Sequence, residues 1–292
     1  MTEGEIVTDM NGKIVMVTGA TNGIGKVSAL ELAKMGATVI LVSRSAEKCE
    51  AVAKAIREAA GHDNVVAMPA DLSVQAEIHR LADQFLATHS RLDVLLNNAG
   101  AVYTKHEVSK DGIEMTWALD HMNYFLLTNF LLPALKAARV VNVSSGAHAM
   151  GKINFDDVQF TKGYSGFKAY SQAKLANIMF TYELARRLQG TTVTANALHP
   201  GAVSTGFGQN NAGLFGGLWK FFGRFTLSPE EGAKTSIYLA SSPEVAGITG
   251  QYFDKCKPVK SNAASYIEAD QKRLWDLSLS MLKQPLTVVA TS

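Results

Sequence analysis

Six short apolar runs recur along this 292-residue chain, each followed by a stretch of about helical length. They are "KIVMVT" at 13–18, "ATVILVS" at 37–43, "NVVAMPA" at 64–70, "LDVLLNNAG" at 92–100, "RVVNVSS" at 139–145 and "TTVTANALHPG" at 191–201. Between them lie "KVSALELAKMG", the charged "SAEKCEAVAKAIREAAG", a helix over 74–88, a long helix within 113–136 and another over 170–188. Strands that are apolar throughout bury both faces, as parallel sheets covered by helices do. Right-handed crossovers then predict a doubly wound parallel α/β sheet.

The alternation breaks once, at 202–227, where "GLFGGLWKFFGRF" mixes Gly, Phe and Trp in a stretch long for a loop. "SPEEGAKTSIYLA" then restarts a helix, with Ser228 as N-cap, Pro229 in the first position and two Glu in the first turn. With no linker, internal repeat or low-complexity tract, the expectation is one domain over 1–292, with a substrate lid at 202–227. At 47% hydrophobic residues a sizeable core is available. Net charge is +2 with Lys and Arg scattered, so no basic stripe marks a nucleic-acid partner. Cys49 and Cys256 are far apart and suit free thiols in a reducing compartment. The opening "MTEGEIVTDMNGK" is polar and acidic, unlike a signal peptide, and no apolar run approaches the ~20 residues of a membrane span. A cytoplasmic protein is expected.

"TGATNGIG" at 18–25 leaves the first strand and opens the first helix. In that position Gly19, Gly23 and Gly25 let backbone approach a pyrophosphate, held by the free N–H groups and dipole of the helix start. This is the phosphate end of a Rossmann-like dinucleotide site, although the glycine spacing differs from the commonest fingerprint. About 20 residues on, NAD-binding chains carry an acidic residue for the ribose hydroxyl. Here the second strand ends in "VSR", with Arg44 at that place. A guanidinium suits a 2′-phosphate, so NADP(H) is the preferred cofactor and NAD(H) the alternative.

The ordered series "TGATNGIG", "ADLS", "NNAG", "VNVSS", "YSQAK" and "HPG" resembles the short-chain dehydrogenase/reductase family. "GKINF" at 151–155, "KLANIMFTYELARRLQGTTVTANALHPGAVST" and "KRLWDLS" resemble its retinol-dehydrogenase-like branch. The resemblance covers nearly the whole chain, and is weakest at 207–226 and both termini. It implies that Gly19, Thr21, Asn22, Gly23, Ile24 and Gly25 line the pyrophosphate, and Asp71 and Leu72 the adenine. Asn98, Ala99 and Gly100 would support the nucleotide, and Pro200, Gly201, Val203 and Thr205 would contact its nicotinamide half. Ser145, Tyr170 and Lys174 match the family's catalytic Ser, Tyr and Lys, and a homodimer or homotetramer is a family-level expectation. One departure stands out. "DHMNYFLLT" at 120–128 puts Asp120 where the family's fourth catalytic residue, an Asn, is expected.

"YSGFKAYSQAK" at 164–174 contains Tyr-x-x-x-Lys twice. Lys174 leads into an amphipathic helical run, which sets Tyr170 and Lys174 one turn apart on one face. Tyr164 and Lys168 are interrupted by Gly166 and are expected in an exposed loop. A free phenol is a poor base near neutral pH, and a nearby ammonium favours its ionised form. Lys174 is expected to do this for Tyr170 and to hold the nicotinamide ribose, with Ser145 on the substrate oxygen. His121, His148 and His199 show no ligand spacing, so no metal site is expected.

The aromatics of 207–226 suit a lid over a lipophilic alcohol, aldehyde or ketone, packed core, or a patch touching a membrane or partner. Two functional classes stay open. One is an NADP(H)-dependent oxidoreductase, favoured by Ser145, Tyr170 and Lys174. The other is a catalytically weak nucleotide-binding sensor or scaffold, to which Asp120 lends weight.

Overall fold

The computed structural model describes residues 8–201 and 227–283. Its strands are β1 (Ile14–Thr18), β2 (Thr38–Val42), β3 (Val65–Ala67), β4 (Val94–Asn97), β5 (Arg139–Val143), β6 (Thr194–His199), β7 (Tyr252–Asp254) and β8 (Lys257–Val259). They form one sheet in the order β3-β2-β1-β4-β5-β6-β7-β8. All neighbours are parallel except β7 and β8, which form an antiparallel edge pair. The seven α-helices among the described residues are α1 (Gly23–Lys34), α2 (Ala46–Ala60), α3 (Gln75–Thr88), α4 (Asn123–Leu131), α5 (Gly166–Arg187), α6 (Pro229–Ser241) and α7 (Glu268–Ser280). The doubly wound parallel sheet is as expected.

Alternation along each strand divides the core. Val15, Val17, Val39, Leu41, Leu96 and Val141 pack beneath α1, α2 and α6, whereas Met16, Ile40, Leu95 and Val140 face α3, α4, α5 and α7. Full burial of such side chains stabilises by about 1.5–3 kcal/mol each, offset by the entropy of ordering the chain. A polar chain threads the centre. Asn97 Nδ2 donates to Thr128 Oγ1 at 3.0 Å and Asn142 Oδ1 at 2.9 Å, and Asn142 Nδ2 donates to Thr181 Oγ1 at 2.9 Å. These bonds pin α4 and α5 in register with β4 and β5, because each group would be costly to leave unpaired in the interior.

Strand order reverses at β1 and β4, and the crevice beyond their carboxyl ends is where such sheets bind ligands. The turn after β1, the ends of β4 and β5, and the Pro200–Gly201 turn after β6 all open there.

Two elements depart from expectation. The long helix within 113–136 is composite, with a π-helical turn over Trp117–Met122, then α4, then a 3-10 turn at Leu132–Ala134 entered through Pro133. The Glu114 side chain opens it by accepting the N–H groups of Thr116 and Trp117, at 2.9 and 2.8 Å. Helix α5 begins at Gly166 rather than Tyr170, with Ser165 as its cap. A side chain at Gly166 would collide with the Tyr103 carbonyl, so a glycine that looks like an interruption permits close packing. No helix among the described residues is long and apolar enough to cross a membrane.

Candidate active site

The turn after β1 is built on Gly19, whose φ of +66° is strained for residues with a side chain; a Cβ there would lie 2.9 Å from Ala99 Cα. Thr18 completes this junction, accepting the N–H groups of Asn98 and Ala99 at 2.8 and 3.0 Å. Asn22 caps α1 by accepting Gly23 N–H at 2.8 Å. The remaining first-turn amides, Ile24 and Gly25 among them, have no intrahelical acceptor, and no acidic residue stands in that turn. An anion is therefore favoured here.

Thr21 Oγ1 meets Ser43 Oγ at 2.9 Å, joining the glycine turn to the end of β2. Arg44 follows, exposed and in no ion pair among the described residues. Asp71 and buried Leu72 follow β3, the Asp71 carboxylate accepting Ser73 N–H and O–H at 3.1 and 2.7 Å. The Asn98 side-chain amide donates to Thr18 O at 2.8 Å, bracing the end of β4 against the glycine turn. Pro200 and Gly201 flank the crevice beyond β6, with Leu227 packed on Gly201. Val203, Thr205 and all but Leu227 of the 202–227 segment expected to form a lid lie outside the described residues.

At the ends of β5 and α5 the four candidate catalytic residues converge. Ser144, the neighbour of Ser145, turns away and donates to Lys174 O at 2.7 Å. Ser145 Oγ accepts Ala147 N–H at 3.2 Å and is close enough to Tyr170 to favour its ionised form. Lys174 Nζ lies 5.5 Å from the Tyr170 ring centre and 5.6 Å from that of buried Tyr124. The same Nζ is 3.0 Å from Asp120 Oδ2, and Asp120 Oδ1 accepts Ala101 N–H at 2.8 Å. Gly100 lies close against this pair, where a Cβ would be 2.9 Å from Lys174 Nζ and 3.0 Å from Asp120 Oδ2.

Burial pushes the Asp120 carboxyl up, against the Lys174 charge and Ala101 N–H that hold it down. Burial, and next the Asp120 charge, push the Tyr170 phenol above its usual range, and the Ser145 hydrogen bond opposes them. Asp120 thus takes up the ammonium expected to draw the phenol down.

The second Tyr–Lys pair is not the exposed loop expected. Half-buried Tyr164 places its hydroxyl 2.9 Å from Tyr103 O and 3.0 Å from Glu114 Oε1, while Lys168 is exposed in the first turn of α5. Sequence reasoning missed Glu114 and Thr18, because a single carboxylate or hydroxyl at an element end carries no motif. It also missed Tyr124, which the spacing of four from Asp120 on a helix could have flagged.

A sheet whose reversal point carries a glycine turn, a helix start free of acid and a Ser–Tyr–Lys cluster defines a nucleotide-dependent oxidoreductase class. A family model described as short chain dehydrogenase matches residues 13–213. Human retinol dehydrogenase 13 is 43% identical over 274 residues, covering 90% of this chain and 82% of its own. Mouse retinol dehydrogenase 12 is 41% identical over 274 residues, covering 93% and 86%. A Mycobacterium paratuberculosis crystal structure aligns with a TM-score of 0.80 at 32% identity, over 98% of this chain and 100% of its own. The Pseudomonas aeruginosa RhlG/NADP active-site complex aligns with a TM-score of 0.68 at 29% identity, over 86% and 97%. The chain belongs to the short-chain dehydrogenase/reductase family, in its retinol-dehydrogenase-like branch. It is an oxidoreductase acting on CH–OH groups.

Proposed function

We propose that this protein interconverts a hydrophobic alcohol and its aldehyde or ketone with NADP(H). The observation that carries the reading is Tyr170 and Lys174 one helical turn apart on α5, with the Lys174 ammonium 5.5 Å from the Tyr170 ring centre and Ser145 at the adjoining end of β5. When bound, the nicotinamide supplies or accepts the hydride. The first turn of α1 would hold the pyrophosphate, Arg44 a 2′-phosphate, and Lys174 the nicotinamide ribose; helix-start amides without an intrahelical acceptor and an exposed guanidinium in no ion pair among the described residues fit such a group. Val203 and Thr205, by family resemblance, would contact the nicotinamide side.

Tyr170 gives its proton to the substrate oxygen during reduction and takes it back during oxidation. Ser145 Oγ already accepts Ala147 N–H, which leaves its own proton to donate to that oxygen as charge develops. Lys174 keeps a positive charge near the phenol, and Asp120 sets how much of that charge Tyr170 feels. Substrate class rests on relatives named retinol dehydrogenases and on the aromatic composition of 207–226. Turnover of a panel of hydrophobic aldehydes with NADPH and NADH tests the reading.

A second reading is a nucleotide-binding module with little turnover. It is favoured by the upward push that Asp120 exerts on Tyr170. Tight nucleotide binding without turnover across the panel would select it.

A further inference from the structure

One peptide group, the Ser145–Gly146 amide, lies between two imidazoles. Its carbonyl oxygen, on Ser145, is 2.7 Å from His148 Nδ1. Its N–H, on Gly146, donates to His199 Nδ1 at 2.9 Å. The same His199 nitrogen accepts Gly201 N–H at 3.3 Å. The imidazole also lies against Gly146, where a Cβ would be 3.2 Å from its Cε1. His148 is held in turn. Its ring packs tilted against Tyr252, with centroids 4.8 Å apart, and its carbonyl accepts from Asn262 Nδ2 at 3.2 Å.

These contacts dictate protonation. A carbonyl only accepts, so His148 must carry its proton on Nδ1; two amides only donate, so His199 Nδ1 must be a bare lone pair. His199 ends β6, and its two partners sit on separate turns, one bearing Ser145 and the other following Pro200. A proton on Nδ1 would turn the shared acceptor into a third donor.

We propose that His199 is a positioning residue that ties the Ser145 turn to the Pro200–Gly201 turn through one unprotonated ring nitrogen. The inference rests on the role assigned to Ser145 above. The Ser145 hydroxyl and the nicotinamide-side turn are then set at one spacing, where a shift of about 1 Å can cost ~100-fold in rate. Acid breaks the tie. The charged or titratable groups acting on His199 among the described residues are Asp254 on the paired strand β7, Lys255 in the turn after it and His148 across the peptide. Burial is the largest influence and disfavours the charged ring; His148 and Lys255 add to it, and Asp254 opposes them. The tie therefore holds at neutral pH.

The test compares His199→Leu, which removes the acceptor, with His199→Asn, whose side-chain oxygen can occupy the Nδ1 position without titrating below pH 7. His199→Leu should lower kcat by about tenfold or more while leaving NADP(H) affinity within a few-fold. His199→Asn should recover most of that loss, and the acid-side fall of kcat should move to lower pH. Equal losses in the two variants would overturn the proposal, as would full activity in His199→Leu or an unmoved acid limb in His199→Asn. Should His199→Leu fail to fold, the pH profile of His199→Asn decides alone. Ser145→Ala is measured alongside. Full activity there would sink the reading of Ser145 itself, whereas an inactive Ser145→Ala beside an active His199→Leu would sink the His199 proposal alone.

Discussion

Lys174 Nζ and Asp120 Oδ2 form a buried ion pair at 3.0 Å, with the Tyr170 ring centre 5.5 Å from the same nitrogen. The cation that should favour a phenolate is shared with a carboxylate that opposes it. The family resemblance puts an Asn at this place, which would leave the ammonium unneutralised.

Asp120→Asn should therefore raise kcat in the oxidation direction and lower the apparent pKa of the basic group, because a negative charge beside the phenol is removed. The amide keeps the acceptor that Ala101 N–H uses. Coincident pH–rate profiles for the two proteins would show Asp120 to be only a structural substitute.

Two tyrosines separate chemistry from scaffold. Tyr170→Phe should reduce kcat by ~10²–10⁴, the usual worth of a positioned acid or base, with NADP(H) affinity little changed. Tyr164→Phe should leave kcat within a few-fold and cost about 1–3 kcal/mol of stability, because buried Glu114 loses a hydrogen-bond partner. Steady-state kinetics and urea titrations on both variants distinguish the roles, and the opposite pattern would reverse the assignment.

Arg44→Asp should shift preference from NADP(H) towards NAD(H). Loss of one charged contact is worth ~1.5–3 kcal/mol, or about tenfold and upward in kcat/KM. An unmutated protein that already prefers NAD(H) would remove the basis for assigning Arg44 to a 2′-phosphate.

Buried His121 makes stability pH-dependent. Burial lowers its pKa to about 3, and its Nε2 lies 2.9 Å from Ser278 Oγ. The unfolded chain, with its His near 6.5, binds the proton first as pH falls. The stability that His121 confers is thus complete above pH ~6.5 and is lost on acidification towards its folded value, at up to ~1.4 kcal/mol per pH unit. His148 and His199 are also held low by burial and add to this slope, so the measurement is a difference. Urea midpoints at pH 7.5 and 5.5 should lie closer together in His121→Gln than in the unmutated protein.

Much of the fold was legible in the chain. Strands apolar throughout and helices of matching length encode burial on both faces, and the glycine turn after β1 encodes a backbone conformation that side chains resist. Those are short-range properties, carried by the residues themselves. β7, β8 and α7 were not identified as elements from local pattern; the two strands span only Tyr252–Asp254 and Lys257–Val259, too few residues for alternation to show.

The pairing of Tyr170 with Lys174 was legible for the same local reason, as one helix sets both side chains on one face. Tertiary packing decided the rest of the site. Asp120 meets Lys174 only because a π-helical turn packs against α5, and Gly146 meets His199 only because β5 and β6 are neighbours. Which charges and lone pairs come within 3 Å across such separations depends on how the sheet closes and how its helices dock, and no local periodicity records that.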